Sequence, residues 1–147
     1  MTDPADPGTP LPDLTLDAAS RFVAAAGLVV DEVSGTRVTG HLDLGHEHHT
    51  PWGVVHGGVY TTAVESAASI GASAAVADRG QYAVGLHNGT DFLRASIAGR
   101  AEVLAEPIVQ GRTQQLWLVT ITSEAGKELA RGQVRLQNVP RDASSAG

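Results

Sequence analysis

A chain of 147 residues, 42% hydrophobic and 18% charged, fits one domain with one core and excludes wholesale disorder. Its net charge of −6 and scattered arginines exclude sequence-independent nucleic-acid binding, which needs a concentrated basic face. Without cysteine there is no disulfide, thiolate nucleophile or cysteine-based zinc site; no apolar run reaches membrane-spanning length and no signal-peptide pattern opens the chain, so a cytoplasmic protein is expected.

The Pro-, Asp- and Thr-rich start, residues 1–13, reads as a disordered tail, and 140–147 as a second tail around one domain at 14–139. Leu16 to Ala26 has helical spacing, with Leu16, Ala19, Phe22, Val23 and Ala26 on one stripe, Thr15 or Asp17 as cap and Gly27 as stop. Leu28 to Val33 and Arg37 to Leu44 read as strands joined at Ser34-Gly35, a hairpin. Gly45 to Thr50 (GHEHHT) has no period and reads as a mobile loop. Its His46, Glu47, His48 and His49 fit no standard zinc spacing. From Val59 to about Ala77 the residues are small and apolar on nearly every side, predicting a long buried helix ended by Asp78-Arg79-Gly80. Strand texture follows: Tyr82 to Ser96 as one long or bulged strand, then Arg100 to Val109, Gln114 to Ser123 and Glu128 to Val139. This order predicts an α+β fold in which a curved antiparallel sheet of five or six strands, ending in a meander, wraps the long helix. Such a sheet leaves an edge that a dimer would close.

The most informative run is His56-Gly57-Gly58, followed within the helical stretch by Glu65. Glycines at a helix start leave backbone N–H groups uncovered, and the helix dipole favours negative charge there. A carboxylate two turns further on, among Ala, Ser, Val and Ile, needs a reason, and catalysis supplies one. His56 reads first as a hydrogen-bonding residue at the helix entry. Trp52 serves packing or a pocket wall equally well. Asn88-Gly89-Thr90 matches a glycosylation sequon and reads as incidental without a secretion signal.

The residues from Pro51 to Ala75, with the Gly-x-x-His-Gly-Gly element ending at Gly58, Tyr60 and the acid at Glu65, resemble hotdog-fold acyl-CoA thioesterases of the PaaI and 4-hydroxybenzoyl-CoA thioesterase group. Phe92-Leu93-Arg94 stands where that family has Phe-Leu/Phe-Arg-Pro, and Gly111-Arg112-Thr113 where its members have a polar loop touching the CoA nucleotide. The resemblance covers about residues 14–138. It implies hydrolysis of an acyl-CoA, preferably aromatic such as hydroxybenzoyl or phenylacetyl, in the branch with a glutamate catalyst. CoA belongs to the substrate, so no resident cofactor or metal is implied. The resemblance also implies a homotetramer built as a dimer of dimers. It assigns Gly57, Glu65, His56, Ser69 and Thr50 to catalysis, and Gly58, Trp52, Tyr60, Arg94, Arg112 and Thr113 to substrate binding. Thr50 stands where members often carry Asn or Gln, and Ala95 where Pro is usual.

Chemically, the Gly57 N–H would stabilise the oxyanion, while Glu65 attacks the carbonyl or activates water. Ser69, one turn past Glu65, would hold the water or the carboxylate. Gly57 and Glu65 are separated by roughly 12 Å of helix rise, too far for both to reach one carbonyl. Two equivalent sites per dimer follow, each with Gly57 from one subunit and Glu65 from the other. The competing reading is a non-catalytic acyl-CoA binding or sensing module, which needs no carboxylate at the thioester. A hotdog hydratase needs a paired Asp and His at the helix start, and no acid lies between Thr50 and Glu65.

Overall fold

The computed structural model describes residues 13–141; apart from Asp13, Pro140 and Arg141, the two expected tails lie outside the described residues. The first helix is shorter than its apolar spacing suggests. A 3-10 turn at Leu16–Ala18 is followed by α1, Arg21–Ala26, and Gly27 ends it in the left-handed conformation at φ 82°. Ser20, rather than Thr15 or Asp17, caps α1: its hydroxyl accepts the Val23 N–H at 3.2 Å. Phe22, expected in the core stripe, is 71% exposed because this six-residue helix lies along the flank of α2 rather than over the sheet.

β1 (Val29–Ser34) and β2 (Arg37–Leu44) form the expected hairpin. The GHEHHT segment is not a loose loop. His46–His48 makes a 3-10 turn, and His48 is buried, its Nδ1 accepting the Gly45 N–H at 3.2 Å and its Nε2 3.1 Å from the Ala25 carbonyl. The His49 ring reaches the Ile97 carbonyl at 2.6 Å, which ties this turn to the segment after β3. α2 spans Gly57–Val76 and runs on into a 3-10 turn, Ala77–Arg79, before Gly80. It is buried on most sides by Ala63, Val64, Ala67, Ala68, Ile70 and Ala72, but Thr61, Thr62, Glu65, Ser66, Ser69 and Ser73 form a half-buried polar stripe that the overall apolar composition hides. No described helix is long and apolar enough to cross a membrane.

The remaining strands are β3 (Gln81–Phe92), β4 (Gly99–Gln110), β5 (Gln114–Ser123) and β6 (Glu128–Pro140). All pairings are antiparallel, in the order β1-β2-β4-β5-β6-β3. Only β4, β5 and β6 form the expected meander. β3 crosses to the far edge and pairs with β6, because α2 and the 93–98 segment carry the chain past the sheet on either side of it. Within the concave face, Gly71 lets α2 sit on the indole of Trp117; a β-carbon there would lie 2.5 Å from Cη2. The Trp117 indole donates to Gln115 at 2.8 Å, and Gln115 donates to the Ala72 carbonyl at 2.9 Å and to Asn138 at 2.8 Å, so this buried polar cluster is fully bonded.

β3 ends at Phe92, short of Ser96, and it is bulged: Gly85 pairs with Leu136 and His87 with Arg135, leaving Leu86 extra. One extra residue reverses which side chains face the helix. Before the bulge, Gly85 faces α2. After it Asn88, Thr90 and Phe92 do, while His87, Gly89 and Asp91 line the opposite face of the sheet with Arg131 and Arg135.

Candidate active site

The entrance to α2 is built by His56. Its backbone is extended (φ −66°, ψ 134°), its N–H donates to the His48 carbonyl at 2.8 Å, and its Nδ1 accepts the Gly58 N–H at 2.8 Å. The imidazole is thus the helix cap. This corrects one expectation: the Gly58 N–H is covered by a side chain. The Gly57 N–H, at the first helical position, has no carbonyl behind it in the helix and points from the positive end of the dipole. A β-carbon at Gly57 would run into the Phe92 ring. The His-Gly-Gly and Phe-Leu-Arg elements, distant in sequence, therefore meet. Leu93 N–H bonds to the Leu129 carbonyl at 2.8 Å and Val55 N–H to the Ser96 carbonyl at 2.9 Å, fixing the 93–96 segment beneath the helix start.

Glu65 lies two turns along α2, half-buried, and faces β3. Its Oε1 accepts from the Asn88 amide at 3.2 Å, and its Oε2 rests where a β-carbon of Gly85 would be. The same Asn88 nitrogen is 3.1 Å from the Thr61 carbonyl. Among the described residues no cation is paired with Glu65. A cleft of about 330 Å³ opens over the carboxylate, walled by Phe22, Val23, Thr61, Thr62, Ser66 and Asn88. Phe22 also walls a second cleft of about 200 Å³ with Gly58, Val59 and His48. A larger cleft, about 530 Å³, runs between the N-terminal segment and β1. It is mostly aliphatic, and its two acids, Asp17 and Asp31, lie away from both α2 elements; size does not mark the chemistry here.

The other expected site residues are dispersed in one protomer. Ser69 is one turn past Glu65, its hydroxyl 3.4 Å from the Ser66 carbonyl. The Thr50 hydroxyl accepts the Trp52 N–H at 3.2 Å and closes the turn before the motif, and Trp52 itself is 86% exposed. Tyr60 is 2% exposed with its ring against Phe92, the centroids 6.2 Å apart. Burial raises its phenol above the usual tyrosine range, the Ser96 hydroxyl acting in the opposite direction, although no group among the described residues meets hydrogen-bonding geometry with it. Arg94 is exposed just beyond β3, at the Gly57 end of α2. Arg112 and Thr113 lie at the other end, in the turn held by Asn138, which donates to the Arg112 carbonyl at 3.2 Å. One protomer therefore does not gather the two arginines around Glu65.

Asn88, Gly85 and Phe22 were not legible as site residues. Strict alternation from Ala83 turns His87, not Asn88, toward the helix, and only a bulge signal in the glycine-containing run Gly85 to Gly89 would have reversed that parity.

Comparison with known proteins agrees with this architecture. The sequence pattern of the thioesterase superfamily matches residues 53–130, which include both His56-Gly57-Gly58 and Glu65. The chain is 35% identical over 112 residues to 1,4-dihydroxy-2-naphthoyl-CoA thioesterase 2 of Arabidopsis thaliana, covering 75% of this chain and 68% of that one. It is 32% identical over 103 residues to 1,4-dihydroxy-2-naphthoyl-CoA hydrolase of Listeria monocytogenes, covering 70% and 83%. The solved structure of the Mycobacterium tuberculosis protein Rv1847, which bears an esterase name, superposes with a TM-score of 0.79 at 43% identity, covering 82% of this chain and 98% of that one. The chain belongs to the thioesterase superfamily and is a hotdog-fold thioester hydrolase.

Proposed function

We propose that the protein hydrolyses an aromatic acyl-CoA to the free acid and CoA, with Glu65 as the catalytic carboxylate and the Gly57 N–H as oxyanion donor. The observation that carries this reading is the Glu65 carboxylate itself: half-buried, without a cation among the described residues, and facing an open cleft. A carboxylate held this way is costly for a merely structural role. Glu65 either attacks the thioester carbon, releasing CoA thiolate and leaving an anhydride that water opens, or takes a proton from the attacking water. His56 holds the helix start, and Ser69 one turn past Glu65 and Thr50 in the turn before the motif offer hydroxyls. Gly58 lines the neighbouring cleft, Trp52 is exposed beside the motif, and Tyr60 packs buried against Phe92.

The protein acts as a dimer in this reading. Gly57 and Glu65 are roughly 12 Å apart along α2. Their contacts on β3, Phe92 and Asn88, are about 13 Å apart along the strand, an independent measure of the same separation. A second copy, its α2 antiparallel to the first and its β3 edge beside Tyr82, Val84 and Leu86, brings Gly57 of one protomer to Glu65 of the other. Two dimers then form a tetramer, in which Arg94, Arg112 and Thr113 of different protomers hold the CoA phosphates. The exposed Phe22 ring over the Glu65 cleft supports an aromatic acyl group, as do the two relatives named for a dihydroxynaphthoyl-CoA. Hydroxybenzoyl and phenylacetyl groups belong to the same chemical class.

The test is release of free thiol from a panel of aromatic and aliphatic acyl-CoAs by wild type and Glu65→Gln. Turnover of aromatic members should fall by about 10²-fold or more in the variant, with an unchanged melting temperature. Equal turnover by both proteins sinks the role of Glu65. Retention of intact acyl-CoA without turnover by wild type would make the protein a binding module.

A further inference from the structure

We infer that Asn88, aimed by Thr90 and by the bulge at Leu86, is the positioning residue for the Glu65 carboxylate; this rests on the reading of Glu65 as catalyst. An asparagine amide presents two N–H donors on one side and a carbonyl on the other, and it can flip. Here the flip is settled by Thr90, whose hydroxyl donates to Asn88 Oδ1 at 2.6 Å. The NH₂ group is then turned toward α2, where it meets the Thr61 carbonyl at 3.1 Å and Glu65 Oε1 at 3.2 Å. One nitrogen thus joins the helix backbone to the carboxylate. On the other oxygen, Gly85 admits Oε2 against the strand where any side chain would overlap it.

The arrangement leaves Glu65 one direction. A half-buried glutamate has three side-chain torsions and would otherwise sample several rotamers. With Oε1 fixed by the amide and Oε2 against Gly85, the carboxylate faces the cleft bordered by Phe22, Thr62 and Ser66. Among the described residues no other titratable side chain lines that cleft: His87 and Asp91 face the far side of the sheet, and on α1 the exposed Arg21 is not among its walls. Strand β3 therefore carries the geometry of an acid that α2 supplies, and the bulge makes this possible by turning Asn88 and Thr90 inward together.

The experiment compares kcat and KM of Asn88→Ala, Asn88→Asp, Thr90→Val and Thr90→Ser on the best aromatic acyl-CoA, with Glu65→Gln alongside. Losing a hydrogen bond to a charged group predicts a fall in kcat of about 10- to 100-fold for Asn88→Ala, with KM changed less than about 2-fold. Thr90→Val frees the amide to flip and lowers kcat less, and Thr90→Ser restores it. In Asn88→Asp a second carboxylate beside the first moves the acid limb of the kcat/KM profile to higher pH. A purely structural asparagine would lower the melting temperature and leave kcat per folded molecule and the pH profile in place; that result overturns the inference. Should Asn88→Ala fail to fold, the Thr90 pair decides: equal kcat for Val and Ser overturns it. If Glu65→Gln keeps full turnover, the reading of Glu65 fails. If Glu65→Gln is inactive while Asn88→Ala and Thr90→Val are fully active, only the role of Asn88 fails.

Discussion

Gly57 and Gly71 lie on the same helix, and at each an aromatic ring stands where a β-carbon would go: Phe92 at Gly57, Trp117 at Gly71. Trp117 is wholly buried and its indole is bonded to Gln115, so Gly71 is a packing glycine in a closed interior. Phe92 is 56% exposed, on the last residue of an edge strand, so Gly57 sits at an opening. The pair shows how one helix of small residues does two jobs. Its C-terminal half is smooth so that a sheet can lie on it. Its N-terminal half begins with two glycines, and in the proposed reading these let a ligand reach the Gly57 N–H.

The largest effect that would break this distinction is at Gly57. Proline suits the first helical position, and the extended His56 before it is a conformation that precedes proline readily. Gly57→Pro removes the N–H while keeping the helix, and Gly57→Ala keeps the N–H while adding a similar β-carbon against Phe92. If that N–H stabilises the oxyanion, Pro should lose about 10²- to 10³-fold in kcat and Ala much less, with KM carrying most of the Ala effect. Equal kcat for the two variants in a thiol-release assay would show that Gly57 serves only close approach.

Gly71→Ala should do the reverse. The new methyl meets Trp117 at 2.5 Å and Val38 at 2.9 Å, and both neighbours are buried with no space to retreat. Overpacking of this kind costs about 1–3 kcal/mol, partly offset by up to about 1 kcal/mol from the better helix propensity of alanine. Denaturant midpoints should fall while kcat per folded molecule stays the same. A drop in kcat without a drop in midpoint would mean that the two halves of α2 are not separable.

The two halves also differ in how far they were legible in the sequence. The C-terminal half and its sheet follow from periodicity: β2 and β5 run from Arg37 to Leu44 and from Gln114 to Ser123, as their alternation predicts. The helix start was legible because glycines and an acid in that spacing have chemical meaning. The cradle of Glu65 was not. Asn88 carries a sequon pattern that says nothing of Glu65, and its direction depends on Leu86 being an extra residue in pairing with β6, a fact of tertiary register. Phe22 was assigned inward by helical spacing, but α1 covers only six residues capped at Ser20 and lies on the side of α2. Long-range pairing, not local propensity, decides both positions.

Phe22 offers the smallest effect and the sharpest reading of what the open half of α2 is for. An exposed phenylalanine on a surface is ordinary, but this one walls both clefts that flank the first turns of α2, one holding Glu65 and the other bordering Gly58. If an aromatic acyl group stacks on it, the contact should contribute about 0.5–1.5 kcal/mol beyond area burial, or about 2- to 10-fold in kcat/KM. Phe22→Ala should therefore lower kcat/KM for a benzoyl- or naphthoyl-type CoA by that factor and leave a short aliphatic acyl-CoA unchanged, since an acetyl group is too small to reach the ring. Because Phe22 is mostly out of the core, the fold should survive, which a melting curve checks. A parallel loss on both substrates would mean that α1 only supports α2. No loss on either would remove the ring from the acyl pocket.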